Sequence, residues 1–201
     1  MNAYAGRVYL SPDAQARLKI TDPYSIHRVL LEMVDGSRSA EPETSSGLLW
    51  VDRGQTLYGR RIDFLSRHPV SASKVPADDV SLEVKPLPDG FLDHQEYRFQ
   101  ILVNPCRCVS GKRVAVTGVE KVGAWFQERA AVRGMQVSIA SVDKIGRDVI
   151  VRKNQRVVCA RARISGILKV TDPDLFKKAF LGGIGKCRAF GYGFLQVSVI
   201  K

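Results

Sequence analysis

The same order of alternating and helical stretches occurs twice in this chain, once on each side of a segment that has neither period. In the first half, "GRVYL" alternates polar and apolar residues as a half-buried strand does. "TDPYSIHRVLLEM", residues 21–33, follows as a helix with Asp22 at its N-cap and Pro23 at its first position. Ile26, Val29, Leu30 and Met33 recur at i, i+3, i+4 and i+7, a core-facing stripe. "DGSRSAEPETSSG" is a polar loop, "LLWVDRGQTLYGRRIDFLS" reads as two strands around a turn, "SASKVPADD" is at most a short helix, and "VSLEVKPL" is a strand.

"PLPDGFLDHQ" holds two prolines and a glycine without periodicity and reads as a linker. Beyond it the order repeats. "EYRFQILV" is a strand. "TGVEKVGAWFQERAAVRG" is a helix with a Thr117-x-x-Glu120 capping box and Gly134 as its stop. "MQVSIAS" and "RVVCARARISGILKV" are strands, and "DKIGRDVIVRKNQ" between them reads as an added β-hairpin. "DPDLFKKAFLGG" is a helix with Asp-Pro at its start and Gly at its end, and "GFLQVSVI" is the last strand. "TDP" recurs at 21–23 and 171–173, which we read as shared capping chemistry. The expected fold is α+β, with two tandem ferredoxin-like (βαββαβ, RRM-like) domains at 1–86 and 96–201 joined by a linker at 87–95.

A chain of 201 residues with 45% hydrophobic content can fill such cores. No apolar run reaches membrane-spanning length, and the opening residues lack the flanks of a signal peptide, so a cytoplasmic protein without membrane contact is expected. Cys106 and Cys108 are spaced C-x-C without a neighbouring histidine, and Cys159 and Cys187 stand alone. We expect reduced thiols and neither a metal site nor a cofactor. Charge is divided unevenly. Residues 1–95 carry 11 Lys and Arg against 13 Asp and Glu, whereas residues 96–201 carry 20 against 7. A basic second half points to a polyanion, and nucleic acid fits a surface of many separate cations. A basic surface kept for solubility, or one that docks acidic partners, is the bland alternative.

Three features could carry chemistry. Tyr24 and His27, three apart on the helix, share a face well away from the core stripe. This favours an exposed pair near a helix N-terminus, where the dipole attracts anions. An ordinary surface pair explains them equally well. His68, before a proline, and His94, in the linker, carry little weight. The second feature is "LGGIGKCRAFGYGFLQV", in which Gly182, Gly183, Gly185, Gly191 and Gly193 surround Lys186 and Arg188. Glycines let a backbone approach phosphates, although tight turns alone would also explain them. Because this segment runs from a helix to a strand, a dinucleotide loop is disfavoured. The third is the basic hairpin, with Lys144, Arg147, Arg152, Lys153 and Arg156 within thirteen residues, followed by Arg161 and Arg163 on one face of the next strand. An edge guarded by charge is its alternative reading.

These pieces together resemble the CRISPR repeat-processing endoribonucleases, and most closely the CasE family of the type I-E Cascade complex. "PYSIH" on the first helix and "GGIGKCRAFGYGFL" before the last strand carry the resemblance. "YRFQILVNPCRCVSGKRVAV" and "EKVGAWFQERAAVRG" extend it over the whole chain. The resemblance implies an enzyme that binds the stem-loop of a CRISPR precursor RNA repeat and cuts at the hairpin base without a metal. The 2′-hydroxyl attacks the adjacent phosphate, leaving a 2′,3′-cyclic phosphate and a 5′-hydroxyl. Tyr24 and His27 match the family's active-site pair. His27 would transfer a proton, Tyr24 would position or help activate the 2′-hydroxyl, and a cation would stabilise the phosphorane. Arg156 is the cation nearest the family's lysine position, and Ser165 stands where an acidic residue is common. RNA contacts would come from Arg107, Lys112, Arg113, the hairpin cations and the glycine segment. There Arg188 matches a basic family position and Lys186 is an extra cation. Partners would be the repeat RNA and other Cascade subunits, with a monomer when free. A non-catalytic subunit that holds an RNA hairpin is the second reading, and a small-molecule-binding regulatory domain the third.

Overall fold

The computed structural model describes residues 3–34, 47–75, 80–152 and 155–200. The chain divides into two compact units, one of Met1–Asp89 with Ala189–Gly191, the other of Gly90–Arg188 with Tyr192–Lys201. Each holds a four-stranded antiparallel sheet with helices, so the architecture is α+β and ferredoxin-like twice over. Among the described residues no helix is long and apolar enough to cross a membrane.

In the first unit β1 (Tyr4–Leu10), β2 (Leu48–Thr56), β3 (Gly59–Ser66) and β4 (Val80–Pro86) pair in the order β2-β3-β1-β4. Two helices follow β1, where the periodicity predicts one. The unforeseen α1 (Pro12–Arg17) is a six-residue helix held by Ser11, whose Oγ accepts from Ala14 N at 3.0 Å. It buries only Ala14, so no stripe announces it. α2 (Pro23–Met33) begins as expected. Asp22 Oδ1 accepts from Ser25 N at 2.7 Å, and Ser25 Oγ accepts from Asp22 N at 3.1 Å, a reciprocal cap. Ile26, Val29, Leu30 and Met33 are all buried, against Val8, Leu10, Trp50, Ile62 and Phe64. Each such side chain contributes about 1.5–3 kcal/mol by leaving water. The loop at 35–46 and residues 76–79 of "SASKVPADD" lie outside the described residues, and Ala72–Lys74 of the latter form one 3-10 turn. Asp63 accepts from Arg61 Nε at 2.8 Å and Arg53 Nε at 2.9 Å.

In the second unit β5 (Glu96–Val103), β8 (Met135–Arg152), β9 (Gln155–Val170) and β10 (Gln196–Val199) pair in the order β10-β5-β9-β8. Counted within each four-stranded sheet, both run 4-1-3-2. The hairpin expected as an addition is the continuation of β8 and β9 themselves, with irregularities at Ile139/Ser141 and Asp143/Gly146. A separate hairpin, β6 (Cys106–Val109) with β7 (Lys112–Ala115), turns through Ser110 and Gly111, both at positive φ. α3 (Val119–Ala131) departs from its predicted cap. Gly118, at φ 91, is the N-cap and no side chain caps the helix, because the start falls one residue beyond Thr117 and takes Glu120 out of register with it. α4 (Pro173–Gly182) starts as read, with Asp172 Oδ1 accepting from Asp174 N and Leu175 N.

Of the segment 87–95, Gly90–Gln95 falls in the second unit. Phe91 packs its ring against Tyr97 and Phe180, its carbonyl accepts from Tyr97 Oη at 2.8 Å, and Asp93 pairs with Lys177 at 2.7 Å.

Gly134 ends the turn after α3 at φ +70, and its carbonyl accepts from Thr171 N and Asp172 N. A Cβ there would stand 2.4 Å from Asp172 O. Gly134→Ala is expected to cost about 1–3 kcal/mol, measured as a lower denaturant midpoint. Burial alone would raise the Asp63 carboxyl; hydrogen bonds from Arg61 and Arg53 overcome it and hold the group below its ordinary value. A carboxyl so lowered stabilises the fold above its unfolded pKa and loses that contribution as pH falls through its folded one. Chemical denaturation should show wild type losing stability below about pH 4, and Asp63→Asn losing less over the same interval.

Candidate functional site

In the first unit, α2 carries Tyr24 and His27 on a helix fixed by its cap and its stripe. Both side chains are half-buried, not exposed as their distance from the stripe predicts, and Nδ1 of His27 is shut off from solvent. The helix N-terminus is not an open anion site either. The Asp22 carboxylate already takes the Ser25 N–H there and brings its own negative charge.

In the second unit a cleft of about 400 Å³ opens between the β6–β7 hairpin, α3 and the segment after α4. Arg107, Arg113, Arg129, Arg133, Lys186 and Arg188 line it together with Gly183 and Gly185, and among the described residues no carboxylate does. Its wall includes Trp125, which is buried and donates from Nε1 to Cys106 O at 3.1 Å. The Arg129 guanidinium sits 5.8 Å from the Trp125 ring centroid. Arg107 is the one of the six in an ion pair, 2.8 Å from Glu128 on the surface, among the described residues. Burial, and then the like charge of Arg129, hold the Arg133 pKa below the ordinary arginine value. Six crowded cations, with Glu128 paired to Arg107 at the surface, leave a net positive field that an anion relieves.

Of the residues expected from sequence to contact a polyanion, the cleft gathers Arg107, Arg113, Gly183, Gly185, Lys186 and Arg188. Lys112 is exposed on the adjoining hairpin. Gly191 and Gly193 are buried and serve packing. A Cβ at Gly191 would meet the Trp50 ring at 2.9 Å within the first unit, and one at Gly193 would meet Ile184 O at 2.6 Å. Lys144, Arg147 and Arg156 are exposed on the β8–β9 ribbon. Arg161 and Arg163 do share a face, opposite buried Ala160, Ala162 and Ile164. Arg161 is engaged by Asp148 at 2.7 Å, and Asp148 also accepts from the buried Tyr192 hydroxyl. Lys153 lies outside the described residues, and of Arg152 only the backbone is described. Arg156 belongs to the second unit and Tyr24 and His27 to the first. Sequence reasoning missed Arg129 and Arg133. Their i, i+4 spacing near the end of the predicted helix in the basic half was the available signal, although Arg133 lies just past the end of α3. Among the described residues no group of three or more His, Cys, Asp or Glu is placed to hold a metal ion.

A family model described as CRISPR associated protein matches residues 3–198. No curated protein matches the chain. Among solved structures it is similar to Cse3 of Thermus thermophilus bound to an RNA representing a pre-cleavage complex. That match has a TM-score of 0.83 and 22% identity, and covers 99% of this chain and 100% of that one. It is similar to Cas6e of Escherichia coli K-12, with a TM-score of 0.70 and 16% identity over 98% and 100% of the two chains. It also matches a chain of a CRISPR RNA-guided surveillance complex in a pre-nicking state, with a TM-score of 0.73 and 20% identity over 98% and 100%.

Replacing both Arg129 and Arg133 by alanine should lower the salt concentration that elutes the protein from heparin, a generic polyanion. Replacing Arg98 and Lys169, exposed on the sheet of the same unit, should lower it less. The elution gradient measures both against wild type.

Proposed function

The chain belongs to the CRISPR-associated protein family matched over residues 3–198, and from that premise we propose that it is a metal-independent endoribonuclease acting on CRISPR precursor RNA. It binds the stem-loop of each repeat, cuts at the hairpin base and stays bound to the product as a subunit of a Cascade-type complex. The observation that carries this reading is the second unit's cleft, lined by six cations and, among the described residues, by no carboxylate. The RNA bound to the similar Cse3, and the surveillance complex containing another similar chain, support RNA and further protein subunits as partners.

In the proposed reaction the 2′-hydroxyl at the cut site attacks the neighbouring phosphate and the bond to the 5′ oxygen breaks. A 2′,3′-cyclic phosphate and a 5′-hydroxyl result. His27 moves the proton, taking it from the 2′-hydroxyl as a base or giving it to the leaving oxygen as an acid. With Nδ1 shut off from solvent, Nε2 is the nitrogen that would do so. Tyr24, on the same face one turn earlier, positions the 2′-hydroxyl, and a cation stabilises the phosphorane. The stem is held through phosphates and shape, as double-stranded RNA usually is. A holding subunit that does not cut is the second reading, favoured by the half-burial of Tyr24 and His27.

Repeat RNA incubated with wild type in EDTA should be cut once, and a substrate with one 2′-deoxy sugar at that site should resist. His27→Ala should bind the repeat while losing about 10²–10⁴-fold in cleavage rate. Wild type that binds tightly and never cuts would make this chain the holding subunit. Binding should also weaken steeply with salt, on the order of a thousandfold between 50 and 200 mM for six phosphate contacts. A flat response in a filter-binding titration would remove the cleft from the RNA site.

A further inference from the structure

Two thiols that the proposed reaction does not use meet inside the second unit. Cys159 is fully buried in β9, and Cys187 lies half-buried in the glycine segment between α4 and β10. Their Sγ atoms are 2.6 Å apart. That is nearer to the about 2.05 Å of a covalent S–S bond than to a packing contact of about 3.5 Å or more. The backbone holds Cys187 there at φ 63, a left-handed conformation that side chains rarely adopt. Asn104, itself buried, donates from Nδ2 to Cys187 Sγ at 2.9 Å, a hydrogen bond aimed at sulfur.

The two thiols differ in reactivity. The neighbouring Cys159 sulfur, the Asn104 amide and the Arg113 charge draw the Cys187 thiol below its ordinary value against the opposing effect of burial. Cys159 is pushed the other way, by its bond with Cys187 and by burial. Cys187 therefore has thiolate character and partial access, as a reactive thiol requires, and Cys159 stands beside it as a resolving thiol.

We propose that Cys159 and Cys187 are an oxidation site, at which a hydroperoxide closes a disulfide that ties the glycine segment to β9. The Cys187 thiolate attacks the outer peroxide oxygen, the O–O bond breaks, and one proton is taken up to release the alcohol, or water when the oxidant is hydrogen peroxide. Cys187 becomes a sulfenic acid. The Cys159 sulfur then attacks Cys187 sulfur, and hydroxide leaves with the Cys159 proton as water. Two thiols lose two electrons and two protons, and the peroxide is reduced by the same two electrons. Lys186 and Arg188 flank Cys187 in sequence, so the bond fixes the backbone between two cations of the cleft. This inference does not depend on what the cleft binds.

The test treats the whole protein with hydrogen peroxide, blocks remaining thiols with iodoacetamide, and maps non-reduced peptides by mass spectrometry. A Cys159–Cys187 linked peptide, lighter by two hydrogens, should form before the exposed Cys108 is half oxidised, and should disappear with dithiothreitol. In Cys159→Ala, Cys187 should advance instead to sulfinic and sulfonic acids. The proposal is overturned if Cys187 remains alkylatable while Cys108 oxidises, or if wild-type Cys187 over-oxidises without the link. The wild-type map alone decides the matter should the variant fail to fold.

Discussion

The antiparallel ladder between β8 and β9 is the interaction on which the second unit depends. β9 is paired along one edge with β8 from Gln155 to Val170 and along the other with β5. The inner part of the ladder is a wall of the core, where Ala162, Ile164 and Leu168 are buried. The outer part runs on as a two-stranded ribbon. One pair of strands thus supplies both a rigid core element and a carrier for cations. Gly166 shows how closely the strands are fitted, because a Cβ there would stand 2.1 Å from Ser138 O, beside the irregularity in β8.

Charge is organised around that ladder by selective neutralisation. On the ribbon, Asp148 engages Arg161 and the Tyr192 hydroxyl, and the phenol is pushed well up, by burial first and then by that carboxylate. In the cleft the cations lack such partners, apart from Arg107 with Glu128 on the surface, among the described residues. The acid-poor half divides its arginines between the long ribbon and the cleft, and dissolved salt screens the repulsion among those exposed to solvent.

What the sequence disclosed followed the strength of the local signal. Asp22-Pro23 and Asp172-Pro173 are strong caps because side chain and fixed φ act on the same turn, and both helices start where they predict. The stripe Ile26–Val29–Leu30–Met33 is equally unambiguous. Thr117 and Glu120 match the spacing of a cap, but spacing does not say which residue begins the helix, and Gly118 takes that place. The β6–β7 hairpin is too short for alternation to reveal, although Ser110-Gly111 is a fair turn signal. Of the candidate site, the glycine-segment cations and Arg107 and Arg113 could be named. That they share a cleft with Arg129 and Arg133 is a tertiary fact. The half-burial of Tyr24 and His27 escapes a helical wheel because a wheel knows only the helix's own stripe.

The sequence distance between β5 and β10 also sets an order of events. β8 and β9 lie only two residues apart in sequence and can pair locally, whereas β10 must find β5 about a hundred residues back before the sheet is complete. The glycine segment is held by the same closure, since Gly193 N donates to Leu102 O and Ile184 N donates to Gly193 O. A chain still emerging during synthesis can hold its ribbon and its first sheet without yet having a cleft. The cationic cleft is thus among the last features of the second unit to be completed.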